Sequence, residues 1–339
     1  MLEQMQALEL DRVVLWRDAA SGLEAILAID DVTLGPAAGG VRTRAYRSPG
    51  DALADAAALA RAMTVKCALA GLTAGGAKCV VLDHAGLDRA RGFRVLGERI
   101  TELGGLFRTA GDLGTTAADL AAMASRCPWV HADETGLAAA VAHGLLRCVE
   151  ACAALRGVGV AGLRVAVQGA GAIGAAVARR LSAAGARLIV ADLDAARAHA
   201  VAGDTGAAVG DPADILTAPV DVIAPCAVGG VIDVGVARSM RAWAVCGAAN
   251  NLLASPEAED ALIARDILAV PDVVASAGAV IEGIGRTVMQ LADRAPLIDA
   301  LGTTARRILE ESHTTGARPS AIARQIASAR ITARRAERA

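Results

Sequence analysis

The sequence predicts an α/β fold in two domains, one of them built on a doubly wound parallel sheet. Three observations predict it. At 339 residues the chain is long enough for two domains. Short apolar runs alternate with runs of helical spacing, the pattern of strands joined by helical crossovers. The third is a glycine turn: the apolar run 163–168 meets Gly169-x-Gly171-x-x-Gly174, a helical run follows, and a second apolar run, 187–191, ends at Asp192. Hydrophobic residues make up 54% of the chain but aromatic ones only 2%, so the core must come from Ala, Val, Leu and Ile.

In chain order, residues 13–16 and 23–29 read as two strands joined by a turn at 18–22. Residues 35–42, Gly-Pro-Ala-Ala-Gly-Gly-Val-Arg, read as a loop whose glycines, Gly39 and Gly40, let a ligand approach the backbone. Ser48-Pro49-Gly50-Asp51 is a helix start, with Ser at the N-cap, Pro at the first position and an acid three residues after the cap. That helix carries Met63 and delivers Lys66 near its C-terminal end. A glycine-rich loop at 71–77 presents Lys78 immediately before an apolar strand, 79–82. A helix over 87–103 leads to a strand at 107–110 and a turn at 111–116 that holds Asp112 between glycines. A linker near 129–136 precedes the helix 137–155.

The glycine turn comes next, and a dinucleotide fits it. Gly169, Gly171, Ala172, Ile173 and Gly174 would bring the backbone to a pyrophosphate at a helix N-terminus, where free N–H groups and the dipole favour anions. Asp192, roughly twenty residues beyond Gly169, would take both ribose hydroxyls of NAD and repel the extra phosphate of NADP. The plainer alternative is a glycine turn that only packs a helix on a sheet; the flanking strands and the acid favour the cofactor. Strands at 220–223 and 244–246 are each followed by a loop, one with Cys226 and Ala227, the other with Ala248, Asn250 and Asn251. In a parallel sheet such loops lie at the carboxyl ends of strands, where ligands bind. Residues 269–279 are expected to add a last strand and loop. Helices after Glu282 end with 319–330 and an arginine-rich tail, read as a solvated or subunit-contact helix.

Composition excludes several classes. A net charge of −2 argues against nucleic acid or an acidic membrane as the main partner. No run is expected to approach the length of a membrane span, and residues 1–12 alternate acids with apolar residues rather than forming a signal peptide. Seven cysteines form no Cys-x-x-Cys pair and suggest neither a disulfide framework nor a metal site, so a reducing, cytoplasmic setting is expected. Lys66 or Lys78 alone is most simply a solvated lysine, and Asp112 alone a turn-former. The combination argues otherwise: Gly-Gly-Ala-Lys ahead of a buried strand suits a lysine held beside a substrate.

These residues carry a family pattern. Gly35-Pro36-Ala37-Ala38-Gly39-Gly40, Met63-Thr64-Val65-Lys66, Ala70-Gly71-Leu72 with Gly75-Gly76-Ala77-Lys78, and Asp112-Leu113-Gly114-Thr115-Thr116 resemble the leucine, valine and phenylalanine dehydrogenases, cousins of glutamate dehydrogenase. Ala224-Pro225-Cys226-Ala227, Gly247-Ala248-Ala249-Asn250-Asn251 and Ala277-Gly278 extend the resemblance to the second half. It implies an α/β substrate and oligomerisation domain, 1–135, completed by a C-terminal helix, 314–339. It also implies a Rossmann-type NAD domain, 136–313, with the active site in a cleft between the two. Lys66 resembles the lysine that holds the substrate α-carboxylate, Lys78 the catalytic lysine and Asp112 the acid–base carboxylate. Asn251 resembles the asparagine near substrate and nicotinamide. Ala38, Gly39, Gly40, Met63, Val280 and Gly283 fall at substrate-pocket positions, and Cys226, Ala227, Ala248 and Asn250 at cofactor positions.

The chemistry needs these residue types. Hydride leaves Cα only from a neutral amine, so a carboxylate must accept a proton; water must then attack the iminium carbon, which a lysine of lowered pKa can assist. Three positions depart from the family: its acid before the aspartate is Gly111, a threonine near the nicotinamide is Val141, and an asparagine is Ser276. The resemblance implies reversible NAD-dependent deamination of an apolar L-amino acid, aliphatic or aromatic, by a homo-oligomer. Two alternatives stay open, a relative acting on an unusual amino or keto acid and a non-catalytic ligand-binding paralogue. Where glutamate dehydrogenases carry a lysine for the substrate's side-chain carboxylate, this chain has Ala38. Ala38 and Gly283 are also smaller than the family's leucine and valine, which predicts a pocket open to bulky side chains.

Overall fold

The computed structural model describes residues 2–10 and 12–338. They group into two units. One comprises the chain up to Glu134 with Thr287–Gln290 and the chain from Ala327 on; the other comprises Thr135–Arg286 and Leu291–Ile326.

The first unit opens with α1 (Leu2–Ala7), β1 (Arg12–Asp18) and β2 (Leu23–Asp31). β3 (Ala37–Arg44), α2 (Pro49–Leu69), β4 (Gly75–Leu82) and α3 (Arg89–Glu102) follow, then β5 (Phe107–Gly111), α4 (Ala117–Ala124) and β6 (Val130–His131). Its sheet runs β1-β2-β4-β3-β5-β6. β1, β2 and β4 pair antiparallel; β3 pairs parallel with both β4 and β5, and β5 with β6. Alternation gives the sheet two buried faces. Leu27, Val41, Cys79 and Phe107 pack with Phe93 and Leu96 of α3, whereas Ile26, Ala28 and Val80 pack with Leu53, Ala56 and Ala60 of α2.

Two expectations are corrected here. Residues 37–42 are not a loop but most of β3, and Gly75–Ala77 already belong to β4, so Lys78 sits inside a strand. The reason is interstrand packing: a Cβ on Gly39 would lie 1.7 Å from the Ala77 carbonyl oxygen. The helix start is as expected, with Ser48 as N-cap accepting from Asp51 N–H.

The second unit holds α5 (Leu137–Leu155), β7 (Arg164–Gln168), α6 (Ala172–Ala183), β8 (Arg187–Ala191), α7 (Ala195–Thr205) and β9 (Ala208–Val209). After a 3₁₀ turn come β10 (Val222–Pro225), α8 (Val234–Ser239), β11 (Ala244–Val245), α9 (Pro256–Ile263) and β12 (Leu268–Ala269). α10 (Asp272–Ala275), α11 (Gly278–Thr287), α12 (Ala295–Thr315) and α13 (Pro319–Ala336) complete the chain. All pairings in its sheet are parallel, in the order β12-β11-β10-β7-β8-β9. This is the doubly wound arrangement, with its topological switch between β7 and β10.

Three further expectations differ. The stretch 269–279 is mostly helical, so Val280 and Gly283 lie on α11 rather than beyond a loop. α13 joins the first unit only from Ala327, because its start is tied to α9 by Arg318 on Asp260 (2.6 Å) and Ser320 N–H on Glu259 (2.8 Å). α5, at 19 residues, is long and apolar enough to cross a membrane by length and composition; here it is a core helix of the second unit, packed against α6 and α12.

Candidate active site

In the first unit, one sheet face gathers the chemistry. Side chains alternate along each strand, so Ala38, Gly40 and Arg42 of β3 share a face with Gly76 and Lys78 of β4. Arg108 and Ala110 of β5 lie on it too, with Asp112 just beyond the strand. α2 covers this face and approaches so closely that a Cβ on Gly76 would lie 2.2 Å from Thr64 N. Lys66, near the end of α2, is 7% exposed, and Lys78 is 6% exposed. Arg330 on α13 fixes that helix end by donating to the carbonyls of Ala68 (2.5 Å) and Leu72 (3.1 Å).

Asp112 is where the charges meet. Its Oδ2 lies 2.8 Å from Lys78 Nζ and 2.8 Å from Arg42 Nε. Room for it comes from β3, since Gly40 has no side chain and a Cβ there would sit 3.0 Å from that of Asp112. The turn itself is pinned. Gly114 has φ +77°, Thr115 Oγ1 donates to the Val41 carbonyl (2.7 Å), and Thr116 caps α4 in a reciprocal pair with Asp119. Burial pushes the Lys78 ammonium below its ordinary pKa and outweighs the attraction of Asp112. Burial alone would raise the Asp112 carboxyl, but Lys78 and Arg42 together bring it below the usual carboxylate range. The result is a carboxylate held below its ordinary range, 2.8 Å from a lysine held below its own.

Sequence reasoning missed Arg42 and Arg108. Arg42 stood inside the stretch read as a loop; the signal was its period-two spacing from Ala38 and Gly40. Arg108, the β5 neighbour of Ala38, has its guanidinium 5.3 Å from the Trp129 ring centre. Gly39 serves strand packing. Met63 is half-buried on α2.

The second unit brings the other predicted residues together at the carboxyl ends of β7, β8, β10 and β11. Gly169 has φ +95°, and a Cβ there would meet Ala227 N at 2.9 Å. A Cβ on Gly174 would meet the Gly169 carbonyl oxygen at 1.9 Å, whereas Gly171 faces open space. One glycine makes the turn, one seats helix on strand, and the middle one leaves an approach to the backbone. No side chain caps α6 at Gly171, so its first N–H groups, from Ala172 and Ile173 on, are available to an anion. Asp192 braces the turn, accepting from Ala170 N–H (2.6 Å) and Asp194 N–H (2.8 Å), which hold its pKa down. Each carboxylate oxygen keeps a lone pair for a ribose hydroxyl. Leu193, 94% exposed, and Val228 are apolar side chains left in water beside this turn, and neither was singled out from sequence.

Around the switch point, a Cβ on Gly247 would strike the Pro225 carbonyl at 2.4 Å, so the loops after β10 and β11 touch, bringing Ala248 beside Pro225. Asn251 adopts φ +53° and is held by its N–H on Asp272 (2.8 Å), while Ser276 Oγ contacts Asn250 Oδ1 (3.3 Å). Burial pushes the Cys226 thiol up to about 12, so Cys226 shapes the loop rather than acting as a nucleophile. On α11, Glu282 is engaged by Arg294 (2.5 Å) beside Gly283, and Val280 is half-buried. Val141 is buried in α5. Among the described residues no cluster of His, Cys, Asp and Glu suits a metal ion.

Comparison with known proteins gives the family. Residues 11–128 match the model of the Glu/Leu/Phe/Val dehydrogenase dimerisation domain, and residues 196–284 that of the Glutamate/Leucine/Phenylalanine/Valine dehydrogenase domain. Leucine dehydrogenase of Geobacillus stearothermophilus is 37% identical over 290 residues, 83% of this chain and 79% of that protein. Valine dehydrogenase of Streptomyces virginiae is 35% identical over 80% of this chain and 79% of its own. The crystal structure of L-tryptophan dehydrogenase from Nostoc punctiforme superimposes with a TM-score of 0.86 at 30% identity, covering 99% of both chains.

Proposed function

The chain belongs to the glutamate/leucine/phenylalanine/valine dehydrogenase family, and from that premise we propose that it deaminates L-amino acids with large apolar side chains, using NAD. It is an amino-acid dehydrogenase, an oxidoreductase dependent on a nicotinamide cofactor. The observation that carries the reading is the Lys78–Asp112 pair, 2.8 Å apart, its lysine buried and its aspartate half-buried. Lys66 holds the substrate α-carboxylate. Asp112 accepts a proton from the substrate ammonium, which frees the nitrogen lone pair. Gly169, Gly171, Gly174 and Asp192 would hold a nicotinamide dinucleotide, which would supply the acceptor for the hydride of Cα. Lys78 then assists water onto the iminium carbon and stabilises the carbinolamine oxygen, and Asp112 returns a proton to the departing ammonia.

Asp192 supports NAD over NADP, since a carboxylate would face the extra phosphate. Ala38, small and uncharged, supports an apolar substrate, in keeping with relatives named for leucine, valine and tryptophan. Glutamate is disfavoured, because Ala38 offers no charge and an unpaired carboxylate is costly to desolvate. We assign the substrate to the first unit, the cofactor to the second, homo-oligomerisation to the first, and a cytoplasmic setting. The test is to offer NADH and ammonia with a panel of 2-keto acids and follow NADH absorbance. Consumption with branched and aryl 2-keto acids is expected; consumption with none of them would remove the proposal.

A further inference from the structure

We propose that Arg42 is a positioning residue for Asp112, gripping the same carboxylate oxygen as Lys78 so that Oδ1 is left to exchange the proton with the substrate nitrogen. This rests on the roles of Lys78 and Asp112 given above. Oδ2 of Asp112 takes both Lys78 Nζ and Arg42 Nε at 2.8 Å, so the two cations converge on one carboxylate oxygen. Arg42 is itself anchored. Its Nη1 donates to Asp55 on α2 (3.2 and 3.3 Å), and Asp55 accepts from the Tyr46 hydroxyl (2.7 Å). One guanidinium thus spans two carboxylates, one on α2 and one in the turn after β5, with N–H groups of fixed geometry and permanent charge. A lysine at this position has one nitrogen and cannot occupy both places.

The arrangement has an electrical signature. On the face beside Asp112 the charged and titratable groups are Lys78 of β4, Arg42 of β3, Arg108 of β5, Asp55 and Lys66 of α2, and Tyr46 before it. Glu134 also approaches, 3.4 Å from where a Gly111 side chain would start. Arg42 holds the Asp112 carboxyl down and also pushes the Lys78 ammonium down. Losing it therefore raises both titrations. Mere loosening would let water in, which raises Lys78 but lowers Asp112. The direction of the Asp112 change separates the two.

The experiment uses the full chain and the variants Arg42→Ala, Arg42→Lys and Asp55→Asn. Lys78 is titrated by trace acetylation and Asp112 by coupling glycine methyl ester with a carbodiimide, each read on its peptide by mass spectrometry. Arg42→Ala is expected to move both midpoints to higher pH and to lower kcat by about 10²-fold, with KM little changed. Arg42→Lys should return the Asp112 midpoint toward wild type while kcat stays low, because charge is restored without the span. An Asp112 midpoint that falls or stays put in Arg42→Ala, or a kcat within threefold of wild type, overturns the proposal. Should Arg42→Ala not fold, Asp55→Asn decides: a lowered kcat at unchanged KM supports the role, and wild-type kcat refutes it. Absence of turnover in the wild type would count against the proposed function, while the two labelling titrations would still judge Arg42.

Discussion

Lys66 and Lys78 are the only lysines in a chain that carries 32 arginines. A guanidinium stays charged at any working pH, whereas an ammonium shifts its pKa readily on burial, so arginine can serve every ordinary cation but not a proton-handling one. Both lysines are buried in the first unit. Lys78→Arg is therefore expected to lose turnover by roughly 10²-fold or more although charge is kept, as is Asp112→Asn. Lys66→Ala should chiefly raise KM, since a carboxylate clamp acts in the ground state too. Steady-state kinetics on the three variants checks this; near-normal turnover in Asp112→Asn would end the acid–base assignment. For Asp192, calorimetric titration should show NAD bound at least tenfold more tightly than NADP, about 1.4 kcal/mol. Equal affinities would contradict the role. The charged residues proposed for the site were legible because the two lysines stand out in a chain of arginines and Asp112 lies in a glycine turn. Arg42 was not, because one arginine among many carries no signal until the strand register pairs it with Asp112.

At the scale of elements, the helix start at Ser48 and the strand–glycine–helix–strand unit at 164–191 were legible, since caps and glycine turns are local rules. β3 was not. Gly39 and Gly40 read as loop residues, yet they are glycine because the neighbouring backbone and Asp112 fill the space a side chain would take. Gly39→Ala should therefore lose about 1–3 kcal/mol or more by overpacking, measured by urea unfolding; a neutral result would mean that β3 and β4 can separate freely. The β5–α4 turn offers a pH test. Burial alone would raise the Asp119 carboxyl, but Arg89 and Thr116 hold it below its ordinary value. Its contribution is then full above an unfolded value of about 3.9 and is lost as pH falls through the lower folded one. Asp119→Asn should cost stability at pH 7, and the gap to wild type should close in strong acid.

For the whole molecule, the parallel order of the second unit was legible because each βα repeat announces itself in sequence. The mixed sheet of the first unit was not, since its β2–β4 and β3–β5 pairings join residues far apart in the chain. The C-terminal helix also divides where sequence has no mark: Arg318 and Ser320 bind α9, whereas Arg330 and Arg335 serve the first unit through α2 and Asp31. What these parts accomplish together is a question of substrate. The direct measurement is kcat/KM for oxidative deamination of valine, leucine, phenylalanine, tryptophan and glutamate with NAD. Ala38 offers neither charge nor bulk, and each methylene that a substrate buries adds about 0.8 kcal/mol, so the larger apolar side chains should lead and glutamate should be rejected. A preference for glutamate, or for valine over every larger side chain, would contradict the account.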